Sequence, residues 1–148
     1  MSGRTRGYAH RVDIAAGAAP VWQALTETES LRKWCSPEAQ INAREGGHFR
    51  ASVDRVTELE AHIDVLLPQR RMRLIYLPSE DLPQHGSPIV DDFILDDTDP
   101  GRTVVRLLGS GFPIDRESDT FYMRLRTGWE RAIARLKVLV EQLNREPP

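Results

Sequence analysis

Apolar residues recur along this chain at two periods, and each change of period marks an element. Over residues 8–15, Tyr8, His10, Val12 and Ile14 alternate with Arg11 and Asp13, the period of two that a half-buried strand requires. In GAAPVWQALT the spacing lengthens. Pro20 suits the first helical position, where its missing N–H is not needed, and Val21, Ala24 and Leu25 form a stripe. Thr26 and Glu29 stand at capping-box spacing, which predicts a second short helix from about Glu27, ended before Pro37. Alternation then returns: a short strand over 39–43, a Gly46-Gly47 turn, and Phe49, Ala51 and Val53 on one face.

In VTELEAHIDVLLPQRRMRLIYLP, Leu59, Ala61, Ile63 and Val65 oppose Met72, Leu74 and Tyr76 across a turn at Pro68-Gln69. A two-residue loop pairs Ile63 with Leu74 and Ala61 with Tyr76 on the dry face, and Asp64 with Arg73 on the wet face. Both faces agree on one register. Residues 79–88 are rich in breakers, and IVDDFILDD and RTVVRLLGSG read as two strands around TDPG. From about Ser118 the period becomes helical, through Phe121, Leu125, Trp129, Ile133, Leu136, Val140 and Leu143. The order is therefore one strand, two short helices, six strands in an antiparallel meander, and a long helix, an α+β arrangement. The strands share an apolar face, and only the C-terminal helix is long enough to cover it. Gly128 interrupts that helix directly before Trp129, at a cost of about 1 kcal/mol relative to alanine. Either it relieves crowding against a strand, or it lets backbone or the contents of a cavity approach closely.

Composition narrows the classes. A chain of 148 residues suits one domain over 1–148, with 1–7 and 144–148 as flexible tails. Hydrophobic residues at 40% and charged residues at 28% are ordinary for a globular protein. A net charge of −2 provides no basic face for nucleic acid. No apolar run approaches the roughly 20 residues that span a bilayer. A single cysteine, Cys35, excludes an internal disulfide; together with the lack of a signal-peptide core it points to the cytoplasm.

Four stretches, in order, carry a resemblance. AAPVWQALTETESLRKW resembles the opening of the heat-shock-protein-90 ATPase activator-like family, REGGHFRAS its Gly-Gly turn, LLGSGFP the end of its last strand, and GWERAIARLKVLVE its C-terminal helix. They span residues 8 to about 143. The resemblance implies the START-like (SRPBCC) helix-grip fold, a curved antiparallel sheet wrapped around a long C-terminal helix. That fold is shared with pollen allergens, polyketide cyclases and lipid-transfer domains, whose members enclose a cavity between sheet and helix. Eukaryotic activators carry an additional N-terminal domain that engages the chaperone, for which 148 residues leave no room.

On that fold the inward positions are almost all apolar, and Tyr76, Phe93, Phe121, Leu125 and Trp129 are the expected lining of a ligand site. Two ionisable residues share the apolar face: His10 on the first strand, and Asp91 in register with Phe93 and Leu95. They are the candidates for acid–base catalysis. The simpler expectation is a strand-end histidine touching water, and an aspartate satisfied by solvent or an arginine. No two of His10, His48, His62 and His85 have zinc-ligand spacing. Cys35, beside Trp34, reads as a small packed residue. The acids Asp91, Asp92, Asp96, Asp97 and Asp99 alternate between faces and lack EF-hand spacing. An empty apolar cavity costs about 24 cal/mol per Å3, so a space of roughly 300 Å3 would cost about 7 kcal/mol of a net stability of about 5–15 kcal/mol. The pocket is therefore modest or holds a guest. The leading expectation is a binding or transport module for a small apolar or aromatic molecule, without a bound cofactor or metal. The alternatives are a polyketide cyclase- or hydrolase-like enzyme and a co-chaperone that stimulates a chaperone ATPase. Ligand, pathway and oligomeric state stay open.

Overall fold

Ten elements follow one another in the computed structural model, which describes residues 4–79, 82 and 87–145. They are β1 (Thr5–Ile14), α1 (Ala18–Thr26), α2 (Thr28–Trp34), β2 (Gln40–Ile41), β3 (His48–Ala51), β4 (Leu59–Leu67), β5 (Arg71–Tyr76), β6 (Val90–Asp99), β7 (Arg102–Pro113) and α3 (Asp119–Arg145). The strands form one antiparallel sheet in the order β1-β7-β6-β5-β4-β3-β2. The meander runs in sequence from β2 to β7, and β1 closes against the last strand. Strand alternation buries Phe49, Ala61, Ile63, Leu74, Phe93 and Val105 on the inner face. There α3 lays down Phe121, Leu125, Trp129, Ile133, Leu136 and Val140, all buried. This is the helix-grip arrangement. Among the described residues, no helix is long and apolar enough to cross a membrane.

Local departures from the pattern have physical causes. β1 starts at Thr5, which pairs with Pro113, so part of the expected tail is strand. α1 starts at Ala18, making Pro20 its third residue. That position is still within the first turn, whose N–H groups have no intrahelical acceptor. The expected capping box does not form. α1 runs through Thr26, whose hydroxyl donates back to the Trp22 carbonyl at 2.8 Å, and Glu27 opens α2 without a side-chain cap. Thr28 instead ties α2 to β2, its hydroxyl bonded to both the N–H and the carbonyl of Ile41.

In the β4–β5 hairpin, Ala61↔Tyr76 and Ile63↔Leu74 pair as the sequence predicts. Nearer the turn Leu67 faces Arg71, which leaves a three-residue loop, 68–70, in place of two. A bulge between Ile63 and Val65 absorbs the extra residue. Val65 is consequently only half-buried, and Asp64 stays within 4.0 Å of Arg73. Leu143 extends past the packed stripe and is 50% exposed. The loop over 79–88 lies largely outside the described residues, and His85 with it.

Gly128 is explained by its neighbour. A Cβ there would meet the Val53 carbonyl oxygen at 2.7 Å and the Val53 side chain at 2.8 Å. The helix thus rests directly on the backbone that follows β3, and the glycine relieves that crowding.

Candidate functional site

The inner face of the sheet carries one polar row. Tyr8 on β1 pairs with Gly109 on β7, Gly109 with Asp91 on β6, and Asp91 with Leu74 on β5. Alternation turns Tyr8 and Asp91 to the same inner side. A Cβ on Gly109 would lie 2.4 Å from the Tyr8 ring; the missing side chain gives the phenol room to cross β7. The Tyr8 hydroxyl donates to Asp91 Oδ1 at 2.7 Å. The Tyr76 hydroxyl, two residues beyond Leu74, donates to Oδ2 at 2.6 Å. Asp91 is 0% exposed. The expectation that solvent or an arginine satisfies it is therefore corrected: two tyrosines do.

Burial pushes the Asp91 carboxyl up to about 7, against the opposing pull of the Tyr76 and Tyr8 hydroxyls. The same burial, and then the Asp91 charge, hold both phenols well above their usual range, so they remain protonated donors. Trp129, 0% exposed, closes the row from α3. Its ring meets Phe93 edge-on at 5.4 Å between centroids. The indole N–H lies near enough to favour the ionised Asp91, yet it completes no hydrogen bond among the described residues.

His10 lies mid-strand, not at a strand end, and is 9% exposed. Its ring stacks on Tyr8 at 5.0 Å. Nε2 donates to the Arg126 carbonyl at 2.8 Å, and Nδ1 faces Glu130 at 3.8 Å. Burial lowers its pKa, outweighing the contact with Arg126. His10 and Asp91 are thus connected through Tyr8 without touching each other. Tyr8 was legible only as a member of the β1 apolar face; the spacing of the chain gave no sign that its hydroxyl reaches β6.

Of the expected lining, Phe93 and Trp129 touch each other, Tyr76 holds Asp91, and Leu125 and Phe121 lie on the same face of α3. All five are buried. Three clefts open on the surface over other residues, around Cys35, beside His10 and beside Gly128. One of them, about 790 Å3, lies between the end of α2, the segment after β3, and α3. Arg135 of α3 shapes it by donating from Nε to the Trp34 carbonyl at 2.8 Å and from a terminal nitrogen to that of Cys35 at 3.5 Å. It thereby satisfies the open C-terminus of α2. Asp54 holds the opposite wall through bonds to the Val56 and Thr57 amides and the Thr57 hydroxyl. This turn places Arg55 at φ +67°, a left-handed conformation that costs a non-glycine residue roughly 1–2 kcal/mol. Cys35 lies buried at the floor, its thiol pushed up to about 12 by burial. It is a packed residue and not a reactive one.

Comparison with known proteins places this geometry. The family model described as Activator of Hsp90 ATPase homolog 1-like protein matches residues 15–141. A Mesorhizobium loti protein superposes with a TM-score of 0.77 at 22% identity, over 97% of this chain and 100% of its own. The Aha1 dimer of Colwellia psychrerythraea gives 0.75 at 21% identity, over 92% and 96%. CalU16 of Micromonospora echinospora gives 0.67 at 20%, over 92% and 74%. At these identities the superpositions speak for the fold. No curated protein matches by sequence.

Proposed function

The chain belongs to the activator of Hsp90 ATPase homolog 1-like family, and on that premise we propose that it binds a small, mostly apolar or aromatic molecule between sheet and α3. The observation that carries this reading is the Trp129 indole N–H, buried beside Asp91 and Tyr76 without a hydrogen-bond partner among the described residues. A buried unpaired donor costs about 1–3 kcal/mol. A guest acceptor placed against it recovers that cost, while Phe93, Phe121 and Leu125 receive the apolar body. Without a guest the side chains close together, which avoids the penalty of an empty cavity.

Titration with a panel of small aromatic compounds, followed by tryptophan fluorescence and by native mass spectrometry, tests the reading. At least one compound quenches the emission and travels with the protein, and Trp129→Phe weakens its binding about tenfold by removing the donor while keeping an aromatic ring. A panel that neither quenches nor yields a bound mass rejects it.

A second reading, an enzyme of the cyclase or hydrolase kind, draws on Asp91 itself. A carboxyl poised near 7 with Tyr76 at 2.6 Å is matched to proton transfer at neutral pH. Under it, Asp91→Asn retains the guest and loses turnover. Unchanged turnover removes this option.

A further inference from the structure

The large cleft between α2, the segment after β3, and α3 has an unusual charge balance. The chain as a whole carries −2, yet the cleft is lined by Arg32, Lys33, Arg55, Arg131 and Arg135 against only Glu38 and Asp54. Asp54 is occupied within its own turn by the Thr57 and Val56 amides. Among the described residues, none of the five cations has a carboxylate within ion-pair distance. A smaller adjoining cleft shares Val53, Asp54 and Arg131 and adds Arg124.

Like charges gathered in a concave, partly apolar wall focus a positive potential. Two features suggest a built site in place of a solvated rim. Arg55 is held in a left-handed backbone conformation by the Asp54 turn, at the cleft edge. The buried Ser36 hydroxyl accepts from the Ser52 amide at 3.1 Å, and among the described residues its own proton has no acceptor. That donor, together with the guanidinium groups of Arg131 and Arg55, provides several N–H and O–H groups suited to a planar or tetrahedral oxyanion. The Trp34, Pro37 and Val53 walls provide apolar surface beside it.

We propose that this cleft binds a small organic anion, a carboxylate or phosphate ester with a compact apolar or aromatic body. Its lining includes neither Trp129 nor any other of the five residues assigned to the apolar guest, so each proposal has its own test. Its size, about 790 Å3, matches a drug-sized ligand.

The test uses benzoate and phenyl phosphate as probes and benzamide as the uncharged counterpart, titrated by calorimetry and by two-dimensional NMR. Both anions bind, benzamide at least about tenfold more weakly, and added salt weakens only the anions. Whichever anion binds more tightly identifies the oxyanion class. The double substitution Arg55→Gln, Arg131→Gln, at exposed positions, weakens the anions about tenfold or more and leaves benzamide unchanged. Trp129→Phe leaves anion binding intact. In the unaltered protein the shifted resonances fall on the Cys35 and Ser36 amides and the Arg135 Nε. Equal binding of benzamide, indifference to the double substitution, or shifts centred elsewhere would overturn the proposal.

Discussion

On β6, Asp91 and Asp92 are neighbours in the chain and face opposite sides of the sheet. Asp91 points inward, wholly buried, and is held by two neutral hydroxyls. Asp92 points outward and meets Arg71 in a two-pronged contact, 2.8 Å on each arm. The outer carboxylate has a full opposite charge beside it, the inner one only dipoles. The inner one nevertheless matters more to the fold, because it accepts from two hydroxyls out of reach of water. Water replaces Arg71 at little cost, whereas it does not reach the buried place of Asp91.

The widest separation between the two faces appears on truncation. Asp91→Ala lowers stability by about 3–5 kcal/mol, as two buried hydroxyls lose their acceptor and a small void opens. Denaturant unfolding reads this directly, and a loss below about 1 kcal/mol would mean that the tyrosines re-pair freely.

Next comes acidity. In the unfolded chain Asp91 releases its proton near 3.8; in the folded protein it holds on to about 7. The neutral form is therefore favoured by folding, so this stabilisation is complete below 3.8 and is lost as pH rises toward 7. The slope reaches about 1.4 kcal/mol per pH unit, on the order of 4 kcal/mol over the whole interval. His10, lowered by burial, acts in the opposite sense and costs stability as pH falls through 6.5. Melting temperature against pH measures the sum, and Asp91→Asn removes the first component and leaves that of His10. An unchanged profile in Asp91→Asn would show that the carboxyl does not titrate late.

Glycine substitutions sharpen the contrast further. Gly109→Ala drives a methyl into the Tyr8 ring on the inner face and costs about 2–4 kcal/mol through overpacking and the loss of the Tyr8 bond. In the β6–β7 turn, Gly101 has open space around its Cβ position but a φ of +73°, so alanine there costs only about 1 kcal/mol of backbone strain. Paired thermal melts decide whether the two differ.

The smallest effect is on the wet face. Asp92→Asn changes stability by less than about 1 kcal/mol, as partly exposed ion pairs do; a larger loss would mean that the Arg71 contact is shielded from water.

The contrast between the faces also governs what could be read in advance. The inner registers Ala61↔Tyr76 and Ile63↔Leu74 were legible because each pairing buries two apolar side chains. The bulge beside Asp64 was not, since the loop that requires it turns through Gln69 at φ +64° without a glycine or asparagine to announce it. The inward side of Asp91 followed from its phase with Phe93. Its partners did not, because Tyr8 lies 83 residues earlier and reaches it through a gap at Gly109 that means nothing until β1 and β7 are adjacent. The basic cleft was hidden likewise. Arg131 falls outside the apolar stripe of α3 and is exposed, and only docking against α2 and the Asp54 turn makes that side concave.

The pairing of β1 with β7 has a consequence for synthesis. β1 leaves the ribosome long before β7, the strand it pairs with, and the Tyr8 phenol waits for Gly109 and then for Tyr122 of α3 to pack beside it. Until translation passes α3, the nascent polypeptide carries an unsated edge and an uncovered greasy sheet, a window in which early termination or stalling leaves a sticky fragment.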